Sequence, residues 1–378
     1  MPGSSQIDPA RLPELVASLP AIDLLKQVAE HVPAYLVGGG VRDLLLGIGG
    51  ADLDVAIEGD PAALADMPGF TLERDALFLT GRLEHGDMKI DVAQTRAESY
   101  PRPGALPEVR PASIGDDLAR RDFTVNAMAF PLSGDELELI DPHGGLDDLR
   151  AGLLRVLHDG SFVDDPTRVL RAARYAARFG FELDPRTAAL LRDADLSTVS
   201  EDRIDNELRR IASEEDPAKA LALILDWGVM PNLDPQAPER VAEVARLASA
   251  RPWSEWVDRE LAVMLAIVRP LPQIRELAAA TPERPSETVR LAATWDPAQL
   301  LVARALGAEW LDRYASDWRN VQLEITGDDL LERGIPEGPA IGRGLEAALS
   351  GKLDGEIAGR AEELRIALAA ARGEIPED

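Results

Sequence analysis

Apolar and polar positions follow one rhythm in the first third of the chain and another in the rest. Residues 22–31 place apolar side chains at helical spacing and predict a short amphipathic helix. AYLVGGGVRDLLLG (34–47) reads as an apolar strand, a glycine turn and a helix. DLDVAIEG (52–59) predicts a second strand with alternating faces, and MKIDVAQT (88–95) predicts a third. Residues 95–117, dense in proline, glycine and charge, predict a long, partly ordered loop, and such loops usually carry function or are disordered. Residues 1–20, with four prolines and few apolar runs, read as a mobile lead-in. From about Asp147 onwards strand signals nearly vanish and helical periodicity in Ala, Leu, Arg and Glu takes over. Proline-rich breaks near 231–238, 269–272 and 281–285 cut that stretch into helical packets, with no repeat period. The pattern predicts an α+β chain: a small mixed-sheet domain of roughly 140 residues, then an all-helical remainder.

Composition narrows the chemistry. At 46% apolar residues the 378-residue chain supports a sizeable core in two or three domains. No window approaches the ~18 consecutive apolar residues of a membrane helix, and no signal peptide is visible. The absence of cysteine excludes a disulfide partner, zinc-thiolate sites and thiol catalysis. Four scattered histidines make an all-His metal site a poor reading. The simplest compartment is the cytoplasm. A net charge of -27 argues at face value against a nucleic-acid partner. Its distribution says otherwise, because residues 151–200 carry seven arginines against seven acids.

Asp52 and Asp54 stand at i and i+2 of a strand, so both carboxylates project from one face. Such a pair can hold Mg²⁺ and leave positions open for substrate phosphates. Alone, the pair reads better as an acidic turn on a solvated strand edge. Its context is what changes the reading. Gly38, Gly39 and Gly40 end an apolar strand and open a helix beginning VRD with Arg42, an arrangement that lets phosphate approach backbone N–H groups. It is neither the P-loop nor the dinucleotide fingerprint. Asp91 on the third strand would complete the acidic site if that strand neighbours the second. In RRDFTVNAMA (120–129), the adjacent Arg120 and Arg121 beside Asp122 and Asn126 offer forked donors for a triphosphate and polar groups for a ribose; a surface Arg121–Asp122 ion pair is the plain alternative. Arg168, Arg171, Arg174 and Arg178 fall on one helix face as a cationic stripe.

Together these motifs resemble the class II tRNA nucleotidyltransferases, the bacterial CCA-adding enzymes and their poly(A) polymerase relatives in the polymerase β superfamily. Five motifs match in order over about residues 35–210. LVGGGVRDLLLG with Asp52 and Asp54 is similar to the catalytic first motif, and RRDFTVNAMA to the second, which contacts ribose and triphosphate. DPHGGLDDL, with Asp141, Gly145, Asp148 and Leu149, is similar to the third, a hinge. DDPTR is similar to the fourth, an amino-acid template for the incoming base, although Asp164 stands where Glu is usual. EDRIDNEL, with Glu201, Arg203 and Glu207, is similar to the fifth, a supporting helix. Residues 325–349 resemble the tail of many bacterial members. No HD phosphohydrolase pattern is present.

The resemblance implies a catalytic head over 21–140, a helical neck over 141–230, a body over 231–310 and a tRNA-contacting tail over 311–378. It also implies Mg²⁺ as cofactor, and CTP, ATP and the tRNA 3′ end as substrates. Asp165 and Arg168 suit the template role, since cytosine and adenine share an amino donor beside an unprotonated ring nitrogen. Residues 95–117 occupy the place of a flexible loop that acts as a lever for A addition, which favours full CCA or A addition. Partial A-adding or CC-adding activity, a poly(A) polymerase and an inactive RNA-binding relative are the alternatives. The chain ends AARGEIPED rather than in a basic extension, which argues against the polymerase.

Overall fold

The computed structural model describes residues 7–49, 54–67, 71–75, 79–85, 88–134 and 137–374. Contacts divide it into two compact units, residues 1–215 with 219–231, and residues 216–218 with 232–378.

In the first unit the predicted start is present: α1 (Leu12–Ala17), α2 (Ile22–His31), β1 (Ala34–Val37) and α3 (Gly39–Leu46). Strands β2 (Asp54–Ile57), β3 (Thr71–Asp75), β4 (Thr80–His85) and β5 (Met88–Gln94) follow, then β6 (Arg96–Ser99) and β7 (Glu108–Pro111). Helix α4 (Ile114–Ala119) leads into β8 (Ala129–Pro131). Six of these strands form one mixed sheet in the order β3-β4-β5-β2-β1-β8. Within it β2 and β5 run parallel, while the other neighbours are antiparallel. Leu36, Ile57, Leu83, Ile90 and Val92 are buried in its core.

Beyond the sheet come α5 (Gly145–Ala151), β9 (Leu153–Leu154), α6 (Ser161–Asp164) and α7 (Arg168–Phe179). They are followed by β10 (Glu182–Leu183), α8 (Pro185–Leu190), α9 (Glu201–Ala212) and α10 (Pro217–Asp226). Helix α7 turns Val169, Leu170, Ala172, Ala173 and Ala176 inward and ends at Gly180 in the left-handed region.

Two expectations need correction. Residues 95–117 are not a long loop: β6 and β7 pair in antiparallel register from Arg96↔Pro111 to Ser99↔Glu108. Thr95 Oγ1 donates to the Ala112 carbonyl at 2.6 Å, and Ser113 and Asp116 form a capping box that starts α4. The hairpin lacks an apolar alternation because it is held by polar contacts, so periodicity could not reveal it. Nor are residues 7–20 a loose lead-in. Ile7, Leu12 and Val16 are buried, and Arg150 Nη2 donates to the Ile7 carbonyl at 3.1 Å.

The second unit contains α11 (Ala237–Ala248), α12 (Arg259–Ile267), α13 (Pro272–Ala279), α14 (Pro285–Ala292), α15 (Pro297–Ala305) and α16 (Leu311–Ser316). It closes with α17 (Gly327–Leu331), α18 (Pro339–Leu353) and α19 (Arg360–Ala371) around a core of Ile325, Leu330, Ile335, Ala348 and Ala367. Between α18 and α19, Lys352 Nζ meets the buried Glu363 carboxylate at 2.6 Å. Among the described residues no helix is long and apolar enough to cross a membrane.

Candidate active site

The site starts where β1 ends. Gly38 turns the chain into α3 at φ 62°, a conformation that L side chains adopt at a cost, and a Cβ there would stand 2.5 Å from Arg121 Nη1. Gly39 and Gly40 form the first turn of α3, which carries Arg42 inward. Arg42 Nε donates to Asp43 Oδ1 at 2.8 Å, and its Nη1 donates to Asn126 Oδ1. The same guanidinium lies 4.5 Å from the Phe179 ring centroid, which ties α3 to α7 through a cation–π contact.

Asn126 in turn donates through Nδ2 to Asp122 Oδ1 at 2.9 Å, and the Phe123 N–H donates to the same oxygen at 2.8 Å. Arg171 Nε takes the other oxygen at 2.8 Å, while its Nη1 reaches Glu207 at 3.3 Å. Burial works against the Asp122 charge, but Arg171, Asn126 and Arg168 outweigh it and hold the carboxyl well below the usual range. The Arg121–Asp122 surface pair does not form. Arg121 Nη2 donates instead to Asp117 Oδ2 at 2.9 Å. Both Asp122 oxygens are thus occupied by protein donors, so its visible work is to hold Asn126 and Arg171 in place.

Asp165 and Arg168 flank the start of α7. Asp165 Oδ1 accepts from the Thr167 hydroxyl at 2.6 Å and from Arg203 Nη2 at 2.8 Å. Buried Arg168 donates through Nη1 to Ser161 Oγ at 2.6 Å and through Nη2 to the Arg120 carbonyl at 2.8 Å. Further along the helix Arg174 and Arg178 lie 3.3 and 3.7 Å from Glu214. The cationic stripe is therefore laced with carboxylates rather than bare.

These side chains line one cavity of about 720 Å³, whose wall holds Asp54 together with Arg42, Arg121, Asp165, Arg168, Arg171, Arg174 and Arg178. Among the described residues nine arginines and five carboxylates line it, a local excess of positive charge in a chain of net charge -27. The buried Nε atoms of Arg121 and Arg174 have no hydrogen-bond partner among the described residues.

A second cavity of about 580 Å³ shares Asp54, Arg120 and Arg121 with the first and adds Arg82 and Asp91. The third strand does neighbour the second, and Asp54 stands opposite Asp91 in the parallel register. Arg82 Nε meets Asp91 Oδ1 at 2.7 Å from the adjoining strand. Asp52 lies outside the described residues, and among those described no group of three or more acids or histidines is arranged to hold a metal.

The third-motif residues knit α5 to the turn at 124–126. Asp141 accepts from the Gly145 and Leu146 N–H groups at 2.7 and 2.9 Å and so caps the helix. At Gly145 an added Cβ would overlap the Thr124 carbonyl oxygen. Asp148 accepts from Thr124 Oγ1 at 2.6 Å and from Arg155 Nε at 3.0 Å.

Sequence reasoning missed Glu98, Tyr100 and the aromatic pair Tyr175 and Phe179. Glu98 and Tyr100 lay in the stretch read as loop, where no pattern marked them. Tyr175 and Phe179, spaced four apart on the arginine helix, carried the signal that was available.

An acidic strand end beside an arginine-lined cavity, on a small mixed sheet, is the architecture of a nucleotidyltransferase head. Residues 34–155 match the family model described as the poly A polymerase head domain. The CC-adding tRNA nucleotidyltransferase of Deinococcus radiodurans is 33% identical over 373 residues, covering 94% of each chain. The A-adding enzyme of Geobacter sulfurreducens is 32% identical over 92% of this chain and 47% of its own length. This chain spans about half the length, or less, of the A-adding relatives it matches. Among solved structures, the Thermotoga maritima CCA-adding enzyme complexed with tRNA superposes with a TM-score of 0.73 at 30% identity, over 95% of this chain and 98% of that one. The chain belongs to the class II tRNA nucleotidyltransferase family.

Proposed function

We propose that this chain transfers nucleotidyl units from CTP and ATP to the 3′ end of tRNA. The observation that carries the reading is the first cavity, whose lining brings together Asp54, an arginine cluster and the Asp165–Arg168 pair. Triphosphate oxygens would meet the guanidinium groups of Arg121 and Arg174, both of which line the cavity. Asp165, its carboxylate fixed by Thr167 and Arg203, accepts from the amino group of cytosine or adenine. Arg168 donates to the adjacent ring nitrogen. Uracil and guanine present a carbonyl and a ring N–H at those places, so both contacts turn unfavourable. A paired contact of this kind discriminates by about 1–3 kcal/mol.

The donor set fits a hard divalent cation such as Mg²⁺: carboxylate oxygens at a strand end, in a chain without cysteine. Asp52 and Asp54 would hold it. When bound, it supplies Lewis acidity for the acceptor hydroxyl and charge neutralisation for the pyrophosphate. The chain's own contribution is positioning: the arginines would orient the triphosphate, and the second cavity, which shares Asp54 with the first, would receive the acceptor.

The test is to incubate the protein with CTP, ATP and tRNA ending before, within or after the CCA, and to sequence the products. Full CCA on tRNA lacking its terminus is the expected result. The A-adding enzymes among the curated relatives favour a second reading, in which only tRNA ending in CC is extended, by a single A. CC alone would indicate the activity named for the Deinococcus relative. Runs of A on arbitrary RNA, or tRNA binding with no incorporation under any divalent ion, would overturn the proposal.

A further inference from the structure

The 96–111 hairpin places a carboxylate in the wall of a cavity otherwise suited to a polyanion, and this carboxylate is occupied throughout. The Glu98 side chain is 7% exposed. Its Oε1 accepts from Arg120 Nη1 at 2.7 Å and from Arg96 Nε at 3.2 Å, and its Oε2 accepts from the Tyr100 hydroxyl at 3.0 Å. A negative group so enclosed repels a triphosphate and has nothing left with which to bind a base. Its chemistry points to the arginine it holds.

Arg120 is gripped from two sides. Beyond Glu98, its Nε and Nη2 donate to Asp117 Oδ1 at 2.9 and 2.7 Å. With the side chain pinned, the backbone of Arg120 is pinned too, and its carbonyl is one of the two acceptors that orient Arg168. The path runs Tyr100, Glu98, Arg120, Arg168, and every link is a hydrogen bond.

We propose that Glu98 is a positioning residue for nucleotide selection, setting the Arg168 guanidinium through Arg120. The inference rests on the base-reading role given to Arg168 above. Burial first, and then Glu98, pushes the Tyr100 phenol up to about 12, so the hydroxyl remains a donor to Glu98 across the working pH range. The same hairpin also touches the other half of the pair, since Arg203 donates to the Gly104 carbonyl through Nη1 as well as to Asp165.

The experiment measures kcat/KM for the accepted nucleotide against its carbonyl counterpart, CTP over UTP or ATP over GTP. Four proteins are compared: wild type, Glu98→Gln, Arg168→Ala and the double variant. Because small misplacements of an orienting group are costly, Glu98→Gln should lower the ratio about tenfold, mainly by lowering the efficiency with the accepted nucleotide. In the Arg168→Ala background it should change the ratio no further. A merely structural role would lower both nucleotides alike and leave the ratio in place. If Arg168→Ala lowers the ratio and Glu98→Gln does not, or if the two losses multiply in the double variant, the positioning role is overturned. If Arg168→Ala itself leaves the ratio unchanged, the base-reading role falls and this inference falls with it. Should Glu98→Gln fail to fold by circular dichroism, Tyr100→Phe removes a single bond to Glu98 and should lower the ratio by a smaller factor; no change there also overturns the proposal.

Discussion

The two ends of the site are built on opposite plans. At the end proposed to read the base, Asp122, Asp165 and Arg168 are engaged through named bonds, and Asp122 and Arg168 are buried. At the sheet end, Asp54 is an exposed residue at the first position of β2. Its neighbour Asp91 pairs with Arg82 where their side chains are 63% and 48% exposed. Recognition of a base requires donors and acceptors fixed in advance, and buried, fully bonded groups provide that. On the proposed reading, an acceptor end that enters and leaves and a divalent ion both call for accessible carboxylates.

The contrast can be broken by substitution, and the largest effect belongs to the open end. Asp54→Ala should lower nucleotide transfer by at least about a thousandfold, because a group facing the reacting phosphate contributes several kcal/mol to the transition state. The thermal transition should stay in place because the residue is exposed; retained turnover would remove Asp54 from the chemistry. At the closed end the main loss is stability. Asp122→Asn removes the nearer of the two carboxylates that pair with half-buried Arg171, leaving Glu207, and should cost about 1–3 kcal/mol in denaturant unfolding.

That cost carries a pH signature. The native Asp122 pKa is depressed, so its stabilisation is complete above the unfolded value of about 3.9 and is lost as the pH falls from there toward the native value. The gap between wild-type and variant melting temperatures should therefore be full near neutrality and narrow below about pH 4. A pH-independent gap would mean the variant acts through packing. Arg168→Ala should cost about 1–3 kcal/mol of discrimination between CTP and UTP, read as a ratio of kcat/KM. Arg82→Ala comes last: its pair is solvated, and melting should not shift measurably. A clear loss of stability there would show that the sheet end is more tightly built than its exposure indicates.

Most of the fold was legible where one face of an element is buried. The 22–31 helix and the β1–glycine–α3 unit were readable because Leu24, Leu25, Val28, Leu36 and Val41 form regular apolar patterns. Strands β3 and β4 and the 96–111 hairpin escaped, since their sequences alternate weakly and their order comes from pairing and side-chain bonds. Of the site, the residue types and spacings were visible, and the register that sets Asp91 beside Asp54 was anticipated as a condition. What spacing cannot carry is partner choice. Arg121 sits next to Asp122 in sequence yet bonds Asp117, while Asp122 takes Arg171 from 49 positions away. Glu98 offered no signal at all, because its importance lies in which arginine it meets.

The close approach at Gly145 bears on how sequences of this architecture can drift. A methyl group there would collide with the Thr124 carbonyl oxygen, which belongs to the backbone of another segment and has the same position whatever residue stands at 124. Relief would require the backbone itself to shift, so a side chain at 145 is costly whatever residue stands at 124. At Gly49 an added Cβ would meet nothing within 4 Å among the described residues. The same exchange is thus blocked by backbone at one glycine of the unit and meets no described atom at another.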